Sequence, residues 1–490
     1  MQSSALRVRV NLLGAVGFAT YLTMAVLSFF QAPALWFQHP AAPQAASFFY
    51  AFAEKFPVIA LGRLLGHAGG ILISYCIPLA LATVTALTLL AMLYRNGHEI
   101  DASVERLIYR WSVAFAVAAC LSFPVFTQDF FLSMAWGRML AAGINPFHNL
   151  FTPEMIDDLP LDHFPMVSSY GPVWTILSGA VMALTGKSVL AASIAFKAIL
   201  LAMWIWSLRL IWAIAESRPA IERCLALVIF GWMPLGVVQI LAEGHNDILM
   251  VWLMLLWLFL LLRARTSAPI ALVGSALSKF ATGPLFLVDA IVAWRALSWR
   301  QFILRYIAPG LVGLAIFGAF FRSMDFFDGI FTINEWRFLQ PRDALIAIKE
   351  ALHITAVPLE YTIDVIFVGL VAYQVVALYR QPAYETIVKA SLAIMCAVML
   401  TVIAHLWPWY LVWTLAIAAV LPGWSLSRFV IGISILGPFT LSFWWVDLFT
   451  DSREWVAVAM YVLGFAWILV TRMPAARREE SPAAGSFGHP

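Results

Sequence analysis

Apolar runs of bilayer-spanning length recur along the chain, and three long polar intervals, residues 31–69, 128–172 and 323–358, separate them. A helix needs about 20 apolar residues to cross the hydrocarbon core. The pattern therefore predicts an all-α fold, a polytopic transmembrane helix bundle. The first run, about 10 to 30, follows Arg7 and Arg9, which hold the N-terminus in the cytoplasm. Ala32-Pro33-Ala34 mimics a signal-peptidase site, but the run is long for a signal peptide and Pro33 sits inside the site, so an uncleaved anchor is expected.

Arginines fix the direction of the spans that follow. A second span is expected at about 70 to 94, a cytoplasmic loop with Arg95, Arg106 and Arg110, and a third span at about 110 to 127 that delivers Asp129 to the outer face. Phe130 to Ala142 reads as an amphipathic helix lying on the membrane. Arg209, Arg218 and Arg223 make the helix at about 188 to 213 run inward, which leaves Val173 to Gly186 too short to cross and marks it as non-crossing or re-entrant. A span at about 224 to 242 returns outward to Glu243-Gly244-His245-Asn246-Asp247, and the next, about 247 to 262, ends at Arg263 and Arg265. Asp129 and this polar pentad are thus expected on one face.

Residues 268–294, broken at Ser278-Lys279 and Gly283-Pro284, predict a helical hairpin with Lys279 at its bend. Further spans are expected at about 302–321, 359–379, 385–404, 408–422, 427–447 and 454–471, with His405-Leu406-Trp407-Pro408-Trp409-Tyr410 surfacing outside. The total is about 13 to 14 spans in one polytopic domain, residues 1–471, with an external catalytic loop at about 128–187. The tail, 472–490, reads as a disordered cytoplasmic segment.

Composition excludes water as the main solvent: 62% of the 490 residues are hydrophobic, 12% are charged and mean hydropathy is +0.87. The formal net charge of +3 is scattered and gives no nucleic-acid signal. The 21 tryptophans suit interfacial belts. Cys76, Cys120, Cys224 and Cys396 are isolated and make neither a disulfide framework nor a zinc spacing.

The polar residues within this apolar background are the candidates for chemistry. Asp129 has two readings: a cap of the following helix, or a general base that takes a proton from a sugar hydroxyl. Glu243, His245, Asn246 and Asp247 include more polar groups than one helix cap requires and suit the binding of hydroxyls and a phosphate. Lys279 lies in an apolar stretch, where an ionisable side chain is costly and marks a functional position unless it snorkels. Arg138, Arg337 and Arg342 are rival phosphate ligands, Arg138 being equally suited to anchoring at the interface. His405, Trp407, Trp409 and Tyr410 form either an interfacial belt or a platform for sugar or lipid.

In order, Gln128-Asp129, Gly143-Ile144-Asn145-Pro146-Phe147, Tyr170-Gly171-Pro172, the pentad, Lys279 and Trp407-Pro408-Trp409-Tyr410 resemble the GT-C superfamily of membrane glycosyltransferases, over roughly residues 110 to 425. Within it, they are similar to the polyprenol-phosphate-mannose-dependent α-(1→6)-mannopyranosyltransferases. The resemblance implies inverting transfer of a hexose, mannose first among them, from a polyprenyl-phosphate donor to a glycan or lipid acceptor. It places the site on the extracytoplasmic side of the cytoplasmic (inner) membrane, among membrane lipids. Asp129 would be the base, Lys279 would contact the phosphate, and His245, Asn246 and Asp247 would line the donor or acceptor site, with Asn145 and Tyr170 in the matching motifs. No metal or other cofactor is expected, because Asp129 stands alone where several relatives have paired acids. Phe147 also departs from the family, in which tyrosine is common. A transporter or flippase of a lipid-linked or soluble solute is the other class a polytopic chain with a broken helix at Lys279 and Pro284 allows.

Overall fold

The computed structural model describes residues 2–36, 75–97, 100–159, 161, 167–321, 339–354, 361–403, 405–440 and 453–471. They are helical, with no β-strand among the described residues. In chain order the helices are α1 (Gln2–Trp36), α2 (Ile77–Arg95), α3 (Ala102–Cys120), α4 (Asp129–Ala141), α5 (Pro172–Thr185), α6 (Val189–Ile214) and α7 (Ala220–Gly231). Next come α8 (Asp247–Leu262), α9 (Ala268–Ser278), α10 (Phe286–Ala296), α11 (Trp299–Phe320) and α12 (Pro341–Ala351). The last five are α13 (Thr362–Arg380), α14 (Tyr384–Ala397), α15 (Leu411–Val420), α16 (Ser425–Leu436) and α17 (Arg453–Val470). Among the described residues seven helices are long and apolar enough to cross a membrane, and six further apolar helices are shorter. The protein is a polytopic helical membrane protein.

At the centre runs Ala220–Ala242, buried from Cys224 onward and surrounded by α2, α3, α6 and α15. At the periphery α11 and α13 leave Leu311, Leu314, Val365 and Val368 exposed, as expected of helices that face hydrocarbon. Lipid tails give apolar helices little reason to associate, so close contacts rest on small residues. Gly14 and Gly17 of α1 admit the rings of Trp111 and Phe115 of α3, and Gly432 of α16 lies against Gly464 of α17, where an added Cβ would come within 2.7 Å of the facing Cα.

The third helix differs from its expected bounds. Asp101 accepts from the Ser103 and Val104 N–H groups at 2.8 and 3.0 Å and so starts α3 at Ala102. Glu105 in its first turn pairs with Arg223 at 2.8 Å. The helix ends at Cys120, ahead of Pro124, whose ring restricts the preceding residue to extended backbone. Non-helical residues 121–128 therefore lead into α4. The segment expected to be amphipathic forms α4, which is buried on most sides and has no polar outer face, and the short segment after Pro172 is the 14-residue α5.

The broken stretch forms α9, a 3-10 turn over Phe280–Leu285 and α10. Ser275 and Thr282 hydroxyls meet across the bend at 3.0 Å, and Ser275 also donates to the Met250 carbonyl. Lys279 sits at the bend in extended backbone. Two helices end in wide turns that sequence periodicity does not reveal: Val237–Ala242 and Val398–Val402 are both π-helical, leading to Glu243 and toward His405. Such turns are frequent at functional sites. Most of the intervals 31–69 and 323–358, Arg337 among them, and the tail 472–490 lie outside the described residues.

Candidate active site

The start of α4, the pentad before α8 and the bend after α9 meet at one end of the bundle. The Asp129 carboxylate does not cap its own helix; the N-cap residue Gln128 makes no side-chain cap bond, and the Asp129 N–H donates to the Thr127 hydroxyl at 3.0 Å. The carboxylate instead faces His245, whose Nδ1 lies 3.3 Å from Oδ2, and the Tyr170 hydroxyl stands beside it. At 3.3 Å the imidazole contact is at the long edge of hydrogen bonding. Neither ring nitrogen of His245 has a well-aligned partner among the described residues. The His245 ring is stacked on Trp409 at 3.8 Å between centroids, which fixes its plane. Burial pushes the Asp129 carboxyl up, but the close imidazole of His245, the Lys279 ammonium and the Tyr170 hydroxyl outweigh it. They hold the group below the usual carboxylate range.

A second pair stands beside the first. The Lys279 ammonium donates to Asp247 Oδ1 at 2.8 Å, and Trp413 Nε1 donates to the same oxygen at 2.6 Å. The ammonium also lies 4.6 Å from the Tyr410 ring centroid and 5.2 Å from that of Trp413, a setting that stabilises a cation away from water. Gly171 explains how the bend comes so close to Tyr170. Its N–H donates to the Ser278 carbonyl at 3.0 Å, and a Cβ there would stand 2.1 Å from the Leu277 oxygen. In each pair one side chain is partly exposed and its partner wholly buried: the side chains of Asp129 and Lys279 are 27% and 16% exposed, those of His245 and Asp247 0%.

The other candidates divide by what they touch. Asn246 occupies the N-cap position of α8 without a side-chain cap bond, and its Oδ1 is buried without a partner among the described residues. Trp407 stacks on Trp409 at 5.1 Å, and His405 stands near both Trp407 and Tyr410, so this aromatic group backs His245. Glu243 points away from the pairs: its Oε2 accepts from the N–H groups of Val125 and Phe126 at 3.0 and 2.8 Å, tying the pentad to the segment ahead of Asp129. Burial pushes its carboxyl up despite those bonds. Asn145 bonds the Phe320 carbonyl at 2.7 Å and accepts from the Phe147 N–H, holding its loop to the end of α11. Arg138 is engaged with Asp158 and the Met155 carbonyl, and Arg342 with Asp364.

Three residues near the site were not singled out from sequence. Trp413 is inconspicuous among 21 tryptophans. Gln239, in the π turn, is wholly buried with both amide atoms unpartnered among the described residues. Lys197 lies in the apolar helix α6, and its charge there was the signal that could have found it. Among the described residues no three His, Cys, Asp or Glu side chains converge to hold a metal ion.

Membrane-crossing helices and two polar pairs at one mouth of the bundle define a polytopic membrane protein with a built polar site. The chain belongs to the family whose model, described as "Alpha-(1->6)-mannopyranosyltransferase, N-terminal domain", matches residues 17–296. That span includes Asp129, Tyr170, the pentad and Lys279. The chain is similar to "Alpha-(1->6)-mannopyranosyltransferase A" of Mycobacterium tuberculosis, 27% identical over 221 residues, which are 43% of this chain and 42% of the relative. It is also similar to "Alpha-(1->6)-mannopyranosyltransferase A" of Corynebacterium glutamicum, 24% identical over 240 residues, 44% of this chain and 48% of the relative. The matched part thus spans less than half the length of these curated relatives. No solved structure matches the chain.

Proposed function

We propose that the protein is a mannosyltransferase that moves mannose from a polyprenyl-phosphate donor to a glycan or lipid-linked acceptor at the outer face of the cytoplasmic membrane. Family membership supports the sugar, and a site at the mouth of a helix bundle suits a donor whose prenyl chain stays in the bilayer while its phosphate reaches the interface. The observation that carries the reading is the pairing itself. Two oppositely charged groups, Asp129 and Lys279, reach the site surface, and each is steadied by a buried partner, His245 and Asp247. Attack on an anomeric carbon with departure of a phosphate needs such a base and such a cation.

In this reading the acceptor hydroxyl approaches Asp129. Its oxygen bonds to the anomeric carbon from the face opposite the phosphate, inverting the configuration, while its proton passes to the carboxylate. The bond from that carbon to the phosphate oxygen breaks, and its electron pair leaves with the polyprenyl phosphate. Lys279 offsets the negative charge that develops on the leaving group. Asp247 and the rings of Tyr410 and Trp413 keep the ammonium in place, and His245 orients the base.

The test is transfer by purified protein in nanodiscs, offered polyprenyl-phosphate sugars, nucleotide sugars and membrane glycolipid extract. Wild type is expected to release polyprenyl phosphate from the mannosyl donor, and Asp129→Asn to do so about 100-fold to 10,000-fold more slowly. Folded wild type that released none with any donor and acceptor would overturn the reading.

A further inference from the structure

Lys197 has no part in the chemistry just described, yet it contacts both segments that carry the base and its imidazole. It lies inside α6, buried, and its ammonium donates to the carbonyls of Leu241 and Ala242 at 2.5 and 2.8 Å. These are the last carbonyls of the π turn Val237–Ala242, oxygens that the end of a helix leaves without backbone donors. The same ammonium stands 5.5 Å from the ring centroid of Phe130, the residue after Asp129. The pentad presses on that ring too: Gly244 takes φ +84°, and a Cβ there would lie 2.4 Å from Phe130.

We infer that Lys197 is a positioning residue for the Asp129–His245 pair, a buried cation that caps the π turn and seats Phe130 so that the two side chains meet. Two carbonyls facing an apolar interior would otherwise be unsatisfied, and satisfying them elsewhere requires the end of the turn to move. Glu243 to His245 follow directly on that end, so His245 is expected to lose its 3.3 Å approach to Asp129. A lysine suits the role because it carries a compact charge and several donors on a long apolar stem, which satisfies two carbonyls at once. This inference rests on the transfer reading for its kinetic consequence but not for its structural one.

The experiment compares wild type with Lys197→Met, Lys197→Gln and Lys197→Arg in nanodiscs, by transfer kinetics and by ¹⁵N resonances of the His245 ring, assigned with His245→Gln. Lys197→Met is expected to lower kcat about 100-fold, the cost of a displacement of about 1 Å, with KM for the mannosyl donor little changed. Lys197→Arg, which still donates to both carbonyls, is expected to recover most of the rate, and Lys197→Gln, with one amide donor group, to fall between. The His245 ring signals are expected to move in the same order. Signals identical to wild type in Lys197→Met or Lys197→Gln would overturn the inference even if activity were lost, and so would a Met variant that kept wild-type kcat. If wild type transfers nothing, the transfer reading fails, and the ring resonances alone decide the role of Lys197. Should Lys197→Met not fold, the Gln and Arg variants carry the same comparison.

Discussion

At Asp129 burial and its partners act in opposite directions. Burial raises the pKa of the carboxyl, and the close imidazole of His245, the Lys279 ammonium and the Tyr170 hydroxyl lower it further than burial raises it. The group is therefore ionised at neutral pH, and in the proposed mechanism transfer is expected to be lost only as pH falls through a value below the ordinary carboxylate range. His245 supplies the largest lowering effects, so its removal is expected to raise the carboxyl's pKa relative to wild type. In His245→Gln the acid limb of the kcat/KM profile is expected at higher pH than in wild type. An acid limb that stayed put would show that the imidazole does not tune the base. From sequence, Asp129 and Lys279 stood out because a charge in an apolar context is costly wherever it points. Glu243 stood out for the same reason, yet its carboxylate serves backbone N–H groups of residues 125 and 126. Which partner a polar side chain finds is not written in its neighbours along the chain.

The helix ends, more than the helices, build the site. Two helices ending in π turns and one hairpin bend supply the residues that meet. Gly171 shows how little room they leave, since any side chain there would strike the Leu277 carbonyl. Gly171→Ala is expected to cost about 1–3 kcal/mol of stability, as overpacking does. It also pushes the Lys279 bend away from Tyr170. Thermal unfolding in detergent reads the first effect, and a raised KM for donor the second; wild-type values of both would mean that the bend adapts freely. The extents of α4 and α5 were legible from run length and from the Gly143 and Gly171-Pro172 breaks, whereas α4 proved buried rather than amphipathic. The start of α3 was not, because the Asp101 cap outweighs the hydropathy that placed the helix further along.

Across the molecule, a further charge cluster holds the hairpin to its neighbours. Asp289 of α10 is wholly buried and accepts from Trp257 of α8 at 2.8 Å, from Tyr306 at 2.6 Å and from Arg305 of α11 at 3.1 Å. Arg305 reaches on to the Arg265 carbonyl ahead of α9. Arg305→Met leaves the Asp289 charge without its counter-ion, and breaking a buried pair in this way costs about 3–5 kcal/mol. The melting temperature in detergent should fall accordingly, and an unchanged melt would remove the cluster from the account of stability. The sequence by itself determined the membrane class, most helix positions and the segments that share one face. Run length, proline position and arginine placement are local properties that add along the chain. Only the tertiary structure decided that Asp129 faces His245, that Lys279 shares Asp247 with a tryptophan 166 residues further on, and that Lys197 caps the turn between them. Hydropathy assigns each residue a solvent, whereas a hydrogen bond depends on where two distant segments come to lie.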